Sequence, residues 1–288
     1  MPTEDINPRS KYIDALPIEE IINLMNYENL LVIKTINAAK GSIASAINDA
    51  VNTIRSGGSL VYIGAGTSGR LGVLDASEIP PTFNVTGEVI RAVIAGSEKA
   101  LTEAVEGTED DEDAGVKAVS GISEKDMLLG ITTSGSTPFT ISALKEGKRR
   151  GGKCWLLTCN DVGYGFLDGI IKLMVGPEII AGSTRLKGGT ATKIVLNMIS
   201  TATMIRLGKV YKGFMVDVIP SNKKLRRRAL RIIRDVTGCE DEEAKVLFGK
   251  SGGNAKTAIL MYMKGLNNGE AKELLERSGN SLRKALGE

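Results

Sequence analysis

The sequence predicts a doubly wound α/β fold in which helices cover both faces of a parallel five-stranded sheet. Short apolar runs alternate with longer stretches of helical periodicity, which is the pattern of parallel strands joined by crossover helices. The runs are apolar on consecutive residues, as expected for strands that are buried on both faces. They lie at Leu60–Ile63, Val89–Ile94, Met127–Ile131, Cys154–Leu157 and Ile170–Val175.

Helical segments flank the predicted sheet on both sides. Apolar residues recur at helical spacing over Ile18–Ile54, and Ser56-Gly57-Gly58 ends this segment. A basic amphipathic helix over Lys223–Arg234 precedes short helices that glycines interrupt. We therefore expect an N-terminal helical segment, a central sheet domain and a small all-helical C-terminal module, over residues 1–56, 57–222 and 223–288.

Composition excludes several classes of protein. With 288 residues, 42% hydrophobic and 25% charged, the chain is typical of a globular protein with a substantial core. A net charge of +3 is too small to attract a polyanion, and 4% aromatic residues provide few rings for stacking on bases, so we expect no nucleic-acid partner. No apolar stretch reaches the ~20 residues that span a bilayer, and residues 2–14 are polar, unlike a secretion signal. We expect a cytoplasmic protein with no membrane partner.

The cysteine and histidine counts restrict the chemistry. Cys154, Cys159 and Cys239 form neither an even disulfide set nor a zinc spacing, and the chain has no histidine. We interpret the cysteines as reduced structural thiols and expect no metal site. Since histidine is the commonest acid or base near neutral pH, proton transfer would depend on carboxylates, lysine, tyrosine or cysteine.

A glycine-rich turn, Gly64–Gly69, follows the first predicted strand. Its glycines match the dinucleotide pattern G-x-G-x-x-G, but Thr67 and Ser68 place hydroxyls in the turn. The second predicted strand runs into Ala95-Gly96, without the acid that binds ribose in dinucleotide sites. Hydroxyls and N–H groups at a helix start fit a single phosphate better, so we predict that Gly66, Thr67 and Ser68 bind substrate. A tight turn that needs only small residues is the alternative.

A second loop, Thr132–Thr137, is rich in hydroxyls and follows the third predicted strand. The next residue is a proline, which suits the first turn of a helix over Pro138–Arg149. Capping that helix needs one hydroxyl and the loop offers several, so phosphate or sugar binding is favoured over capping by Ser136 or Thr137. The carboxyl ends of parallel strands meet at one crevice, so both loops are expected to face it. The predicted binding residues here are Ser134, Gly135, Ser136 and Thr137.

Two glutamates lie near these loops. Glu78 stands late in the helix that follows the first loop, where Pro80 and Pro81 are expected to stop the helix. Glu109 belongs to the acidic run Glu103–Asp113, and such a run is usually a solvated face. From the residues alone, both glutamates are interpreted as surface carboxylates.

The stretch Val61–Thr82 closely resembles the N-acetylmuramic acid 6-phosphate etherases, which belong to the sugar isomerase (SIS) fold superfamily. The resemblance covers essentially the whole chain, including the C-terminal module, and is far more specific than an isolated glycine pattern. Further matching stretches are Ala104–Asp110, Val175–Glu178, Gly182–Thr190 and Leu196–Met198.

This resemblance implies cleavage of the D-lactyl ether at C3 of N-acetylmuramate 6-phosphate during cell-wall recycling. The implied enzyme is a carbon–oxygen lyase, a homodimer that uses no metal or organic cofactor. Glu78 corresponds by similarity to the acid that protonates the departing oxygen, and Glu109 to the base that removes the C2 proton. The alternatives are a non-catalytic regulator that binds sugar phosphates, similar to the glucokinase regulatory protein, and an aldose–ketose isomerase, which would release no lactate.

One position departs from the family pattern. Many relatives carry a basic residue where this chain has Ser136, so part of the recognition of phosphate or lactyl carboxylate must differ. Arg185 and Lys187 are the candidates to supply the charge, and both lie in a third loop, Gly182–Thr190. The predicted binding residues of this loop are Ser183, Thr184 and Lys187.

Overall fold

The computed structural model describes residues 2–218, 220 and 222–288, and the chain divides into two compact units. One unit contains the residues up to Ser77 together with Gly87–Ser200, and the other contains Glu78–Thr86 and Thr201–Glu288. Two long helices cross the boundary between these residue sets. The division predicted from the sequence, at residues 56 and 222, stays a prediction.

The first unit is built on the predicted sheet of five parallel strands, which lie in the order β2-β1-β3-β4-β5. All residues of β1 and β3 are buried, because these central strands are covered on both faces, whereas the edge strands β2 and β5 are partly buried. The last strand ends earlier than the apolar run predicted. The strands are β1 (Leu60–Gly64), β2 (Ile90–Ile94), β3 (Met127–Ile131), β4 (Lys153–Thr158) and β5 (Gly169–Lys172).

Helices precede and connect these strands. Three short 3₁₀ helices come first, at Pro2–Glu4, Pro8–Ser10 and Ile13–Ala15. The predicted N-terminal helical segment forms two α-helices. The α-helices that begin in the first unit are α1 (Ile18–Ala38), α2 (Lys40–Arg55), α3 (Gly66–Phe83), α4 (Lys99–Thr102), α5 (Glu112–Ala118), α6 (Pro138–Arg149) and α7 (Lys187–Arg206).

The helices α1 and α2 meet at a bend of 63°. Among the described residues, no single helix is long and apolar enough to cross a membrane. The bent pair passes that test only when both helices are taken together, by length and composition.

The helix α3 continues through Pro80 and Pro81 to Phe83, so the prediction that these prolines stop it was wrong. A proline lacks the N–H donor of a helical residue, but its fixed φ is compatible with a helix. Here the prolines lie in the last turn. The N–H of Asn84 donates to the carbonyl of Pro80 at 3.0 Å and completes that turn.

The second unit contains the predicted C-terminal helices and a short hairpin that the sequence did not predict. In the hairpin, β6 (Val210–Tyr211) pairs with β7 (Phe214–Met215) through a turn in which Lys212 and Gly213 have positive φ. The helices pack around a core of buried apolar residues that includes Ile233, Phe248 and Ile259. They are α8 (Lys223–Thr237), α9 (Asp241–Lys250), α10 (Ala255–Lys264), α11 (Asn268–Arg277) and α12 (Leu282–Leu286).

Candidate active site

A cavity of about 400 Å³ lies in the first unit, at the edge of the sheet where the strands end. The loops after β1 and β3 both line it, as expected for neighbouring parallel strands. Eight residues that the sequence predicted for the site line this cavity. They are Gly66, Thr67, Ser68, Glu109, Ser134, Ser136, Thr137 and Thr184.

The first loop brings the start of α3 directly to the cavity. Gly66, with a φ of +52°, begins the helix, and Thr67 and Ser68 follow in its first turn. A Cβ on Gly69 would lie 2.6 Å from the carbonyl oxygen of Gly64, so only glycine permits this close approach of helix and strand. Hydroxyls and N–H groups at the start of a helix form a favourable place for an anion.

The second loop holds its hydroxyl groups in an internal network. The Oγ1 of Thr132 lies 2.7 Å from the Oγ1 of Thr137 and 3.1 Å from the Oγ of Ser134, and it accepts the N–H of Gly135 at 3.2 Å. The helix α6 has the predicted bounds, but its N-cap residue Thr137 makes no side-chain capping bond. The hydroxyls therefore face one another at the cavity and are not used to cap α6.

Gly135 is a position in this loop where the backbone conformation and close neighbours require a glycine. Its φ is +82°, and its carbonyl accepts a hydrogen bond from the Tyr164 hydroxyl at 2.9 Å. A Cβ at this position would lie 2.8 Å from both the Oγ1 of Thr158 and the Cγ2 of Val162. Gly135 is not among the described residues that line the cavity, and its predicted contact with substrate stays a prediction.

Glu109 lines the cavity on a loop that is held on both sides. Its backbone carbonyl accepts the N–H of Phe139 at 3.0 Å, and Asp111 caps α5 by accepting the N–H of Ala114 at 2.8 Å. The carboxylate of Glu109 makes no hydrogen bond or ion pair with any described side chain. It is solvent-exposed and available for proton transfer.

Buried carboxylates organise the third loop. The Glu178 carboxylate accepts the N–H groups of Lys187 at 2.9 Å and Gly188 at 2.8 Å, and so caps the start of α7. The ammonium of Lys187 lies 2.5 Å from Glu28 Oε2, and both side chains are buried. The charge of Lys187 therefore already has a partner. Its predicted role in substrate binding stays a prediction.

The remaining predicted residues of the third loop differ in position. Thr184 lines the cavity, whereas the neighbouring Ser183 is not among the described residues that line it. Arg185 is exposed and lines a separate cavity of about 300 Å³. The predicted contact of Ser183 with substrate stays a prediction.

Residues near the start of the chain also line the cavity, and the sequence did not predict them. Thr3 is buried, its hydroxyl accepts the amide N–H of Asn160 at 3.1 Å, and its carbonyl accepts the N–H of Gly182 at 3.1 Å. These contacts place Glu4 beside Gly182, where both residues line the cavity. Residues 2–14 show only a polar composition, and no local pattern distinguishes Glu4 there.

Glu78 lies one residue beyond the part of α3 that belongs to the first unit. It is solvent-exposed and is grouped with the second unit, whereas the residues that line the cavity all belong to the first. Its role as a catalytic acid stays a prediction.

The buried thiols are unsuited to catalysis. Burial raises the pKa of Cys154 and of Cys159 to about 12, so both remain protonated at neutral pH. Both are free cysteines, as is the buried Cys239. No group of three or more potential metal ligands occurs among the described residues.

Curated relatives match this chain over its full length. The N-acetylmuramic acid 6-phosphate etherase of Rhizobium rhizogenes is 45% identical and covers 99% of this chain and 94% of its own. That of Histophilus somni is 46% identical, with 99% and 95% covered. The chain belongs to the N-acetylmuramic acid 6-phosphate etherase family. The resemblance inferred from Val61–Thr82 and the other matching stretches is thereby confirmed.

Two further comparisons concern the fold of the first unit's sheet region and the chain. The protein-family model of the glucokinase regulatory protein N-terminal SIS domain matches residues 42–148 of this chain. A Bacteroides fragilis protein named as a phosphosugar isomerase is similar in structure, with a TM-score of 0.50, 20% sequence identity, and 66% of this chain and 91% of its own covered. At that identity the likeness supports the fold alone.

Proposed function

We propose that this protein cleaves the D-lactyl ether of N-acetylmuramate 6-phosphate with water, giving N-acetylglucosamine 6-phosphate and D-lactate. The observation that carries the proposal is the full-length identity of 43–46% to curated etherases. The protein is accordingly a carbon–oxygen lyase, with a place in amino-sugar recycling from the cell wall. We also propose that it acts in the cytoplasm.

The chemistry is an elimination followed by a hydration. When the sugar ring opens, the C1 aldehyde acidifies the hydrogen on C2. A base removes that proton, the C3–O bond breaks, and an acid protonates the departing lactyl oxygen. Water then adds at C3 and a proton returns to C2. Two carboxylates in different environments can perform these transfers in a chain without histidine.

We assign these roles to Glu109 and Glu78. Glu109 fits the base because its carboxylate lines the cavity and is unpaired among the described residues. Glu78 is proposed as the acid on the resemblance to the family. It lies late in α3, the helix that begins at the first loop. The mechanism as proposed uses no metal or organic cofactor.

We propose that the phosphate is held by N–H and hydroxyl groups where α3 begins and by hydroxyl groups where α6 begins. The phosphate lies far from C2 and C3, so its contacts with the protein hold the reacting carbons in position and do not change during the reaction. Pro138 provides no N–H, so hydroxyls carry more of the recognition at α6. The proposed binding residues are Gly66, Thr67, Ser68, Ser134, Gly135, Ser136, Thr137, Ser183, Thr184 and Lys187.

A homodimer is proposed from the resemblance, and the surface of α1 supports it. Ile18, Ile22, Leu30 and Ile33 are large apolar side chains on this helix that are at least half exposed. We expect the double variant Ile22→Glu with Leu30→Glu to sediment as a monomer while the wild type sediments as a dimer. A wild-type protein that sediments as a monomer would exclude this proposal.

An oxygen-18 experiment tests the proposed reaction. The purified protein is incubated with N-acetylmuramate 6-phosphate in oxygen-18 water, and both products are analysed by mass spectrometry. Elimination and hydration place the label in the 3-hydroxyl of the sugar. Labelled lactate with unlabelled sugar would contradict this mechanism.

The second candidate is a regulator that binds sugar phosphates without catalysis. It is favoured by the match of residues 42–148 to the SIS domain of the glucokinase regulatory protein. The same incubation separates the two candidates, because a regulator binds the sugar phosphate and releases no lactate.

A further inference from the structure

The substrate of the proposed function carries two anionic groups, and the main cavity can account for only one. Hydroxyls and N–H groups at the start of α3, and hydroxyls at the start of α6, suit the phosphate. The described residues that line this cavity include Glu4, Glu109 and Asp110, but no lysine or arginine. A second anion, the lactyl carboxylate on the C3 ether, would meet like charges there. A cation for it has to lie outside the main cavity.

A second cavity, of about 300 Å³, adjoins the first and contains such cations. Thr67 lines both cavities. Thr184, which lines the first cavity, directly precedes Arg185 in the chain, and Arg185 lines the second. Arg185 and Lys193 line the second cavity together with the aliphatic side chains of Leu71 and Ile194. Two cations beside an aliphatic wall match a group that has a carboxylate and a methyl.

The charges of this region differ in whether they are already paired. The ammonium of Lys187 is buried and ion-paired with Glu28, whereas Lys193 donates only to the neutral amide oxygen of Asn197 at 2.5 Å and forms no ion pair with the described residues. Arg185 is exposed and makes no ion pair or hydrogen bond with the described residues. A guanidinium binds a carboxylate through two parallel N–H···O bonds, which adds geometric selectivity. Arg185 is therefore the cation with all its donors available, and Lys193 adds a second positive charge beside it.

We propose that Arg185, with Lys193 beside it, binds the lactyl carboxylate of the substrate, and that Leu71 and Ile194 contact the lactyl methyl. This assignment rests on the proposed function and gives the site its specificity for the ether. A sugar phosphate without the lactyl group, such as the product N-acetylglucosamine 6-phosphate, does not use this second cavity.

The test compares a ligand that has the lactyl group with one that lacks it. For Arg185→Ala we expect kcat/KM on N-acetylmuramate 6-phosphate to fall by about tenfold or more, because a charge-assisted hydrogen bond is lost. The Kd for N-acetylglucosamine 6-phosphate, measured by calorimetry, should stay within about twofold of the wild type. Arg185→Lys should recover part of the activity, since it keeps the charge and loses the paired geometry.

The control is Arg227→Ala, which removes an exposed arginine of α8. It should change neither measurement. Equal weakening of both ligands by Arg185→Ala, or no weakening of either, would overturn the proposal, and unchanged product affinity shows that the variant is folded. Failure of the proposed function is distinguishable, because the wild type would then release no lactate.

Discussion

The carboxylates that precede β3 and β5 and two carboxylates that line the cavity are in opposite states. At the edge where strands begin, Asp126 accepts N–H groups from Ser59 at 2.8 Å and Ser123 at 2.9 Å. Asp168, at the same edge, accepts the N–H of Cys154 at 2.7 Å. Burial raises the pKa of both carboxyls, but these hydrogen bonds outweigh it, together with the Lys148 ammonium 2.8 Å from Asp168, and the pKa of each is lowered.

At the edge where strands end, Glu178 is held by two N–H groups, but two carboxylates that line the cavity are unpaired. Glu4 and Glu109 line the cavity there, and neither carboxylate accepts a hydrogen bond from the described residues. A carboxylate held by several N–H groups stays ionised and serves as an anchor between strands. An unpaired one can accept or release a proton during a reaction. Hydrogen bonding therefore separates the carboxylates that stabilise the fold from those in the cavity that are available for chemistry.

The broadest effect is expected for Glu109→Gln at the cavity, because losing the base impairs both C2 proton removal and the lactate release that depends on it. Removing a catalytic base lowers rates by about 10²- to 10⁴-fold, so we expect lactate release to fall in that range while Tm stays unchanged. Glu106→Gln is the matched control, since Glu106 is exposed in the same loop and does not line the main cavity. Full activity of Glu109→Gln would remove this residue from the mechanism.

Glu78→Gln tests whether the acid acts separately from the base. We expect lactate release to be abolished, because the departing oxygen is no longer protonated. Exchange of the C2 hydrogen with deuterated water, followed by NMR, should persist, since Glu109 performs that step. If both activities are retained, Glu78 has no part in the reaction.

Lys187→Met distinguishes an anchoring charge from a binding one. Removing one partner of a buried ion pair costs about 3–5 kcal/mol, and we expect a loss at the lower end of this range in the free energy of unfolding, measured with urea, because Arg9 still lies 3.3 Å from the Glu28 carboxylate. Adding Glu28→Leu should restore part of the loss, because the buried carboxylate that has lost its lysine is then removed. A raised KM at unchanged stability would instead support the binding role predicted from the sequence.

Much of the fold could be predicted because its determinants are local. Consecutive apolar residues identify β1 and β3, and Pro138 marks the start of α6. The hydroxyl-rich loops could be placed at one crevice because the ends of neighbouring parallel strands meet. The hairpin of β6 and β7 was missed, since strands of two residues carry too little pattern.

The remaining features depend on contacts between residues that are distant in the chain. Glu4 reaches the cavity because Thr3 binds Asn160, which is 157 residues away. Lys187 pairs with Glu28 across 159 residues, so its sequence neighbours could not show that its charge is occupied. Local patterns indicate which residues can bind a phosphate, whereas long-range packing decides which charges are free to do so.

Asp126→Asn should have the smallest effect, and only on stability. Losing the charged acceptor of the N–H groups of Ser59 and Ser123 should cost about 2 kcal/mol in the free energy of unfolding at pH 7, with kcat/KM unchanged. Because the pKa of Asp126 is lowered in the folded protein, the wild type loses this contribution as pH falls below about 4. The difference between the two proteins in urea unfolding should therefore shrink in acid. A difference that stays constant down to pH 3 would show that the ionised carboxylate is not the source of the stabilisation.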